Sequence, residues 1–257
     1  MIEVAKILYN KPAAQNIWLM ELHAPGIAAA SKPGQFVNVR LSEQLDPLLR
    51  RPISLHGIDP EKGTISMLYM VVGRGTELLT QMEPMASIDV LGPLGNGFAT
   101  EFAGDKAVLL GGGIGIAPLY PLAQALVAKG KSVRLLIGTK SQKYLSDIKP
   151  YQEIGVTVEI STDDGSYGYH GFVTELLDKA IKEHECDYLY ACGPKPMLRA
   201  IERKALENGI KGQVSTESHM GCGLGVCLCC PNKAKEGGYK KTCQDGPVFE
   251  IGVLDYE

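Results

Sequence analysis

The chain has 257 residues, of which 45% are hydrophobic and 21% charged, with a formal net charge of -3 and a pI near 6.0. That composition is ordinarily globular and long enough for one large domain or two to three small ones. It excludes the basic footprint of a nucleic-acid-binding protein.

From Ile2 to about Gly97, short apolar runs alternate with turn residues. The runs include Glu3-Val-Ala-Lys-Ile-Leu, Ile17-Trp-Leu-Met-Glu-Leu, Gln35-Phe-Val-Asn-Val-Arg-Leu, Thr64 to Val72 and Ser87-Ile-Asp-Val-Leu-Gly. Pro33-Gly34, Asp59-Pro60 and Lys62-Gly63 punctuate them. Regularly spaced short strands predict an antiparallel β-barrel, with one short helix from Gly75 to Met82.

The rhythm changes at about Lys106. Ala107-Val-Leu-Leu, Ser132-Val-Arg-Leu-Leu-Ile-Gly, Val156-Thr-Val-Glu-Ile and Tyr188-Leu-Tyr-Ala-Cys read as strands. Helical stretches follow them at Ala117 to Lys129, Phe172 to Glu185 and Pro196 to Glu207. This alternation predicts a doubly wound parallel sheet. Ala107 to Ala128 is uncharged and long enough to span a bilayer, but Gly111, Gly112, Gly113, Gly115, Pro118 and Pro121 make a strand, turn and buried helix start the better reading. The N-terminus carries no apolar core or cleavage site, so a cytoplasmic protein is expected. The segments divide as 1–99, 100–213 and 214–257.

Four motifs lie in these segments. Arg50-Arg51-Pro52-Ile53-Ser54 ends a barrel run; a guanidinium fork suits a pyrophosphate, and the Ser54 hydroxyl suits a flavin ring nitrogen. Gly75 and Thr76 offer backbone N–H groups and a hydroxyl at a helix start. Gly111-Gly-Gly-Ile-Gly-Ile-Ala-Pro118 follows a strand and opens a helix. Its small residues, Gly113 and Gly115 above all, let backbone approach a diphosphate. Cys192-Gly193-Pro194-Lys195-Pro196-Met197 leaves a strand at the edge where such sheets bind ligands, placing Cys192 either near a nicotinamide ring or in the core. Thr76 as a plain helix cap and the glycines as a tight turn remain open readings.

The last 36 residues hold five of the seven cysteines. Cys222, Cys227, Cys230 and Cys243 give C-x4-C-x2-C and a distant fourth cysteine, the plant-type spacing for a [2Fe–2S] cluster. Gly221, Gly223 and Gly225 suit backbone wrapped around it. Four thiolates also satisfy zinc, although the second knuckle of a zinc ribbon is missing. A disulfide framework is disfavoured by the cytosolic character. Cys229 is a spare thiol, and Cys186 reads as a buried hydrophobe.

Together these motifs resemble the ferredoxin–NADP reductase superfamily. The cysteine box narrows the resemblance to the iron–sulfur electron-transfer subunits of NAD-dependent (class 1B) dihydroorotate dehydrogenase, over essentially the whole chain. The resemblance implies that FAD is held by Arg51, Pro52, Ile53, Ser54, Leu68, Tyr69, Met70, Gly75 and Thr76, and that the cluster is held by Cys222, Cys227, Cys230 and Cys243. Ile53 stands where many such reductases place Tyr, which puts aromatic stacking there in question. The three segments become an FAD-binding barrel, an NAD-binding α/β domain and a [2Fe–2S] domain. The resemblance further implies a partner subunit with FMN that oxidises dihydroorotate to orotate in pyrimidine (UMP) biosynthesis, the two expected to form a heterotetramer of two plus two. On that resemblance, electrons are expected to pass through this chain's cluster and FAD to NAD⁺. No residue here suits abstraction of a substrate proton. Lys140 and Lys143, with no Arg beside them, weakly favour NAD over NADP. Two alternatives stay open: an NAD(P)H-dependent flavin and iron–sulfur reductase subunit serving a ferredoxin or another oxidoreductase, and a zinc-stabilised nucleotide-binding module without redox activity.

Overall fold

The computed structural model of the chain describes residues 1–41 and 46–256. Glu257, the end of the third segment, lies outside them.

The first half forms a closed barrel. Its strands are β1 (Ile2–Ala14), β2 (Ile17–His23), β3 (Phe36–Arg40), β4 (Arg51–Asp59), β5 (Thr64–Met70) and β6 (Ser87–Leu94), in the order β1-β2-β5-β4-β3-β6 with antiparallel neighbours. Two short helices, α1 (Pro25–Ala30) and α2 (Arg74–Thr80), accompany it. Alternate side chains turn inward, and Ile7, Met20, Val37, Leu55, Met67 and Val90 fill the interior. Closure leaves the barrel no open sheet edge.

The second half is a seven-stranded sheet. Its elements are β7 (Lys106–Gly112), a 3₁₀ turn (Gly113–Ile116), α3 (Leu119–Ala128), β8 (Ser132–Thr139), α4 (Lys149–Glu153), β9 (Thr157–Thr162), β10 (Tyr169–His170), α5 (Val173–Lys182), β11 (Tyr188–Cys192), α6 (Lys195–Glu207) and β12 (Lys211–Ser215). The tail adds a hairpin of β13 (Pro231–Lys233) and β14 (Tyr239–Lys241), then β15 (Val248–Glu250). The sheet order is β10-β9-β8-β7-β11-β12-β15, parallel throughout except for β15. Leu109 and Leu135 pack with Leu122 of α3 and Tyr151 of α4. Val108, Leu110 and Leu136 pack with Leu177 of α5 and Leu198 of α6. Both faces are thus covered, which is why β7 reads as an unbroken apolar run.

Two features tie the parts together. Ile17, Leu68 and Phe98 from the barrel side join the core around Leu109. The tail returns as β15 and pairs with β12, Val214 opposite Phe249, so the cysteine-bearing segment is bounded on both sides by sheet strands. Among the described residues, no helix is long and apolar enough to cross a membrane.

Candidate functional site

Beyond β12 the chain runs from Met220 to Cys230 without helix or strand. Gly223, Gly225 and Leu228 take φ of 72°, 79° and 58°, and the loop curls so that amides face sulfur. Leu224 N–H donates to Cys222 Sγ (3.3 Å), Cys222 N–H to Cys227 Sγ (3.4 Å) and Gly225 N–H to Cys243 Sγ (3.1 Å). Cys243 arrives from beyond β14, with its sulfur 3.2 Å from Cys230 Sγ. All seven cysteines are free thiols.

The environments of these thiols differ. Leu224 N–H, the largest influence, draws the Cys222 thiol down to about 6. Burial, with the neighbouring Cys230 thiol, pushes Cys243 up to about 11. Cys230 and Cys243 are buried, whereas Cys227 and Cys229 are exposed. Among the described residues, no three His, Cys, Asp or Glu side chains converge on a single-ion site. The sulfurs fall into a Cys222–Cys227 loop and a Cys230–Cys243 pair. An all-sulfur donor set in two halves, with amide N–H groups aimed at it, fits a two-iron cluster.

This loop rests on the outer face of β3. Phe36 packs against Cys230 and Cys243. Asn38, fully buried, donates from Nδ2 to the Cys222 carbonyl (3.3 Å). A Cβ on Gly223 would lie 2.2 Å from that Nδ2, so only glycine admits the contact. The motif search missed both Phe36 and Asn38; the one available signal is a polar Asn inside the apolar run Phe36-Val-Asn-Val.

Strand β4 lies beside β3, with Ser54 opposite Phe36 and Pro52 opposite Asn38. Ile53 points into the barrel core, leaving its backbone, not its side chain, for any ligand on the outer face. Arg51 lies over Gly75: a Cβ there would meet Arg51 Nε at 2.2 Å. Its guanidinium also donates to the Leu49 carbonyl. The Thr76 hydroxyl accepts from Val72 N–H (2.9 Å) and donates to the Gly73 carbonyl (3.0 Å), so it closes its own turn. On β5, Leu68 and Met70 face the sheet domain. Tyr69 instead faces the barrel, where its hydroxyl donates to Asn10 Oδ1 (3.0 Å) and burial pushes its pKa up to about 12.

The two motifs of the sheet domain form one edge. Gly111 pairs with Cys192 across β7 and β11. A Cβ on Gly115 would meet the Cys192 carbonyl oxygen at 2.2 Å, and one on Gly193 would meet Gly112 Cα at 3.1 Å. Gly113 has φ of 56° and open space above it. Cys192 is buried, and burial pushes its thiol well above the usual range. Lys140 and Lys143 are exposed.

One further residue joins the halves. His56, on β4, contacts the Ala117 carbonyl just after the glycine turn (3.0 Å). The five scattered histidines carried no ligand spacing, so nothing in the sequence singled it out.

Residues 217–255 match the family model described as the iron-sulfur cluster binding domain of dihydroorotate dehydrogenase B, and residues 109–203 match an oxidoreductase NAD-binding domain. The four cysteines lie inside the first match, which favours the iron–sulfur reading of their thiols over zinc. A protein of Geobacillus sp. (strain WCH70) is 44% identical over 259 residues, covering 98% of each chain. One of Bacillus cereus (strain G9842) is 42% identical over 254 residues, covering 96% of each. Both are named dihydroorotate dehydrogenase B (NAD(+)), electron transfer subunit. Among solved structures, an NADH-dependent reduced ferredoxin-NADP oxidoreductase superposes with a TM-score of 0.88 at 32% identity, covering 99% of this chain and 90% of that one. The ferredoxin reductase of carbazole 1,9a-dioxygenase shares the fold at a TM-score of 0.69 and 24% identity, covering 82% and 66%. The chain belongs to the family of electron transfer subunits of the NAD-dependent dihydroorotate dehydrogenase B.

Proposed function

We propose that this chain relays electrons from a catalytic subunit carrying FMN, which converts dihydroorotate to orotate, to NAD⁺ in cytoplasmic pyrimidine biosynthesis. The working complex is a heterotetramer of two plus two. Residues 1–99 hold FAD, 100–213 hold NAD and 214–257 hold the [2Fe–2S] cluster. The single observation that carries the reading is the register of β3 and β4. It sets Ser54 and Pro52 directly beside Phe36 and Asn38, the residues on which the cysteine loop rests.

When bound, a flavin supplies conversion between the paired electrons of a nicotinamide hydride and the single electrons of an iron–sulfur cluster. This chain's residues bind and orient. Arg51, with the Gly75 and Thr76 backbone, takes the negative pyrophosphate of FAD. Pro52 and Ser54 present the outer face of β4, Leu68 and Met70 wall the side toward the sheet, and Ile53 and Tyr69 contribute backbone. Gly113 and Gly115 admit the NAD pyrophosphate, and Cys192-Gly193 bounds the nicotinamide end. Cys222, Cys227, Cys230 and Cys243 ligate iron, with the Leu224 and Gly225 amides lowering the charge on sulfur. The exposed Leu224, Val226 and Leu228 rim the cluster loop and meet the partner subunit. Burial there excludes water from the transfer path.

The test is metal, sulfide and flavin analysis of the native complex, followed by assay of the isolated, loaded chain. It reduces dyes with NADH and leaves dihydroorotate untouched. Dihydroorotate turnover by the isolated chain, or a native complex lacking flavin and sulfide, refutes the reading. A second reading, a reductase serving a ferredoxin, is favoured by the 32% identity to the ferredoxin-NADP oxidoreductase chain. A co-purifying ferredoxin in place of an FMN subunit selects it.

A further inference from the structure

A carbonyl in an α-helix is satisfied by the N–H four residues on. For Ala117, at the entry to α3, that residue is Pro121, which has no N–H. The missing donor comes from the barrel: His56 Nδ1 lies 3.0 Å from the Ala117 oxygen. A carbonyl only accepts, so Nδ1 carries the proton and Nε2 keeps its lone pair. The ring lies 5.4 Å from that of Tyr120, which packs edge-on against Tyr151. The Tyr151 hydroxyl in turn donates to the Ile116 carbonyl (3.0 Å). The two carbonyls that end the glycine turn are therefore each held by a side chain from outside it. Tyr151 belongs to the same sheet domain, whereas His56 belongs to the barrel.

Strand β4 is built to present this ring. Leu55 pairs with Met67 and Gly57 with Ser66, so the register shifts at His56, which has no partner on β5. A bulge re-aims the side chain it carries. His56 follows Ser54 by two residues. One side chain thus connects the strand carrying Ser54 to the turn carrying Gly113 and Gly115.

On the reading above, in which FAD lies on β4 and NAD at the glycine turn, we infer that His56 is a positioning residue for hydride transfer. Its Nδ1–H fixes the distance between the two cofactor-bearing backbones. The imidazole exchanges no proton in the reaction. A purely structural role, capping one carbonyl, is the competing account, and Pro121 separates the two. Pro121→Ala restores an N–H four residues after Ala117, which caps the carbonyl from within α3 without remaking the His56 link between β4 and the turn.

The experiment uses the full chain loaded with FAD and cluster, with flavin bleaching by saturating NADH followed by stopped flow and the melting temperature measured alongside. His56→Phe, which keeps a ring but no donor, slows bleaching by about tenfold or more and lowers the melting temperature. Adding Pro121→Ala recovers the melting temperature but not the rate. His56→Asn, whose amide sits near the Nδ1 position, recovers much of the rate. In the flavin-free chain, imidazole nitrogen shifts report the Nδ1–H tautomer at neutral pH. Wild-type bleaching in His56→Phe or in the double variant, or an Nε2–H tautomer, overturns the inference. Wild-type protein whose flavin NADH does not bleach would instead overturn the cofactor reading on which it rests.

Discussion

Replacing Gly223 by Ala tests how the cluster loop is seated on the barrel. Gly223 has φ of 72°, where an added Cβ costs about 1–2 kcal/mol. That Cβ would lie 2.2 Å from Asn38 Nδ2, with Leu94 Cδ1 at 3.4 Å behind it. The Asn38 amide must swing away and abandon the Cys222 carbonyl, and it has little room because the residue is fully buried. Losing a buried hydrogen bond and leaving its partner unmet costs about 1–3 kcal/mol. The sum is about 2–5 kcal/mol, delivered to the loop that holds Cys222 and Cys227. Thermal unfolding measures it, and iron and sulfide content after anaerobic reconstitution reports whether the loop still assembles a cluster. In an Asn38→Ala background the amide is absent, so the same glycine change falls to its backbone part, about 1–2 kcal/mol. Equal costs in the two backgrounds, or a total below about 1 kcal/mol with full iron content, would refute the proposed seating of the loop.

Cys222→Ser removes the cluster's visible absorption while FAD stays bound, whereas Cys229→Ser leaves the absorption intact because Cys229 lies outside the ligand spacing; iron content and spectra check both. Gly115→Ala drives a Cβ into the Cys192 backbone, 2.2 Å from its carbonyl oxygen, and the strand cannot yield, so unfolding measurements should show a loss of about 3 kcal/mol or more. Gly113→Ala meets open space and costs only its positive φ, about 1–2 kcal/mol, so its larger effect falls on NADH affinity. The His56 imidazole is held at about 4 by burial against an ordinary 6.5. Its ring partner Tyr120 and the Tyr151 behind it are pushed upward and stay neutral. Between those two values the unfolded state binds more protons, so this contribution to stability is intact above about 6.5 and is lost as pH falls through about 4. Its span is on the order of 3 kcal/mol. The stability difference between wild type and His56→Phe should follow that curve, and a flat difference contradicts the burial of a neutral ring.

The barrel and the sheet were both readable because their strands carry strong local patterns: alternation in Ser87–Leu94 and an unbroken apolar run in Lys106–Gly112. Helix α1, with six residues, and strand β15, with three, were not, because a period cannot show itself over so short a stretch, and β12 was not because Lys211-Gly-Gln-Val-Ser carries a single large apolar residue. The spacing of the cysteines carried the expectation of a shared ligand set, and the structure brings Cys222 beside Cys227 and Cys230 beside Cys243. Phe36 and His56 were not legible, for nothing in their neighbours distinguishes them from ordinary strand residues, and Asn38 offered only its polarity within an apolar run. Ile53 and Tyr69 show the same limit in reverse. Both were singled out by resemblance, yet the alternation of β4 and β5 turns their side chains into the barrel.

Residue chemistry and local spacing thus single out four thiols, two glycine-rich turns and a guanidinium as candidates, because each proposed role demands particular kinds of atom. Their relative placement is a different kind of information. Asn38 meets Cys222 across 184 residues, and Ser54 stands beside Phe36 because β4 pairs with β3 in one register. A slip of one residue would turn Asn38 inward and leave the cysteine loop without its shelf. That register is chosen by the packing of the whole barrel core, and no stretch of the chain taken alone contains it.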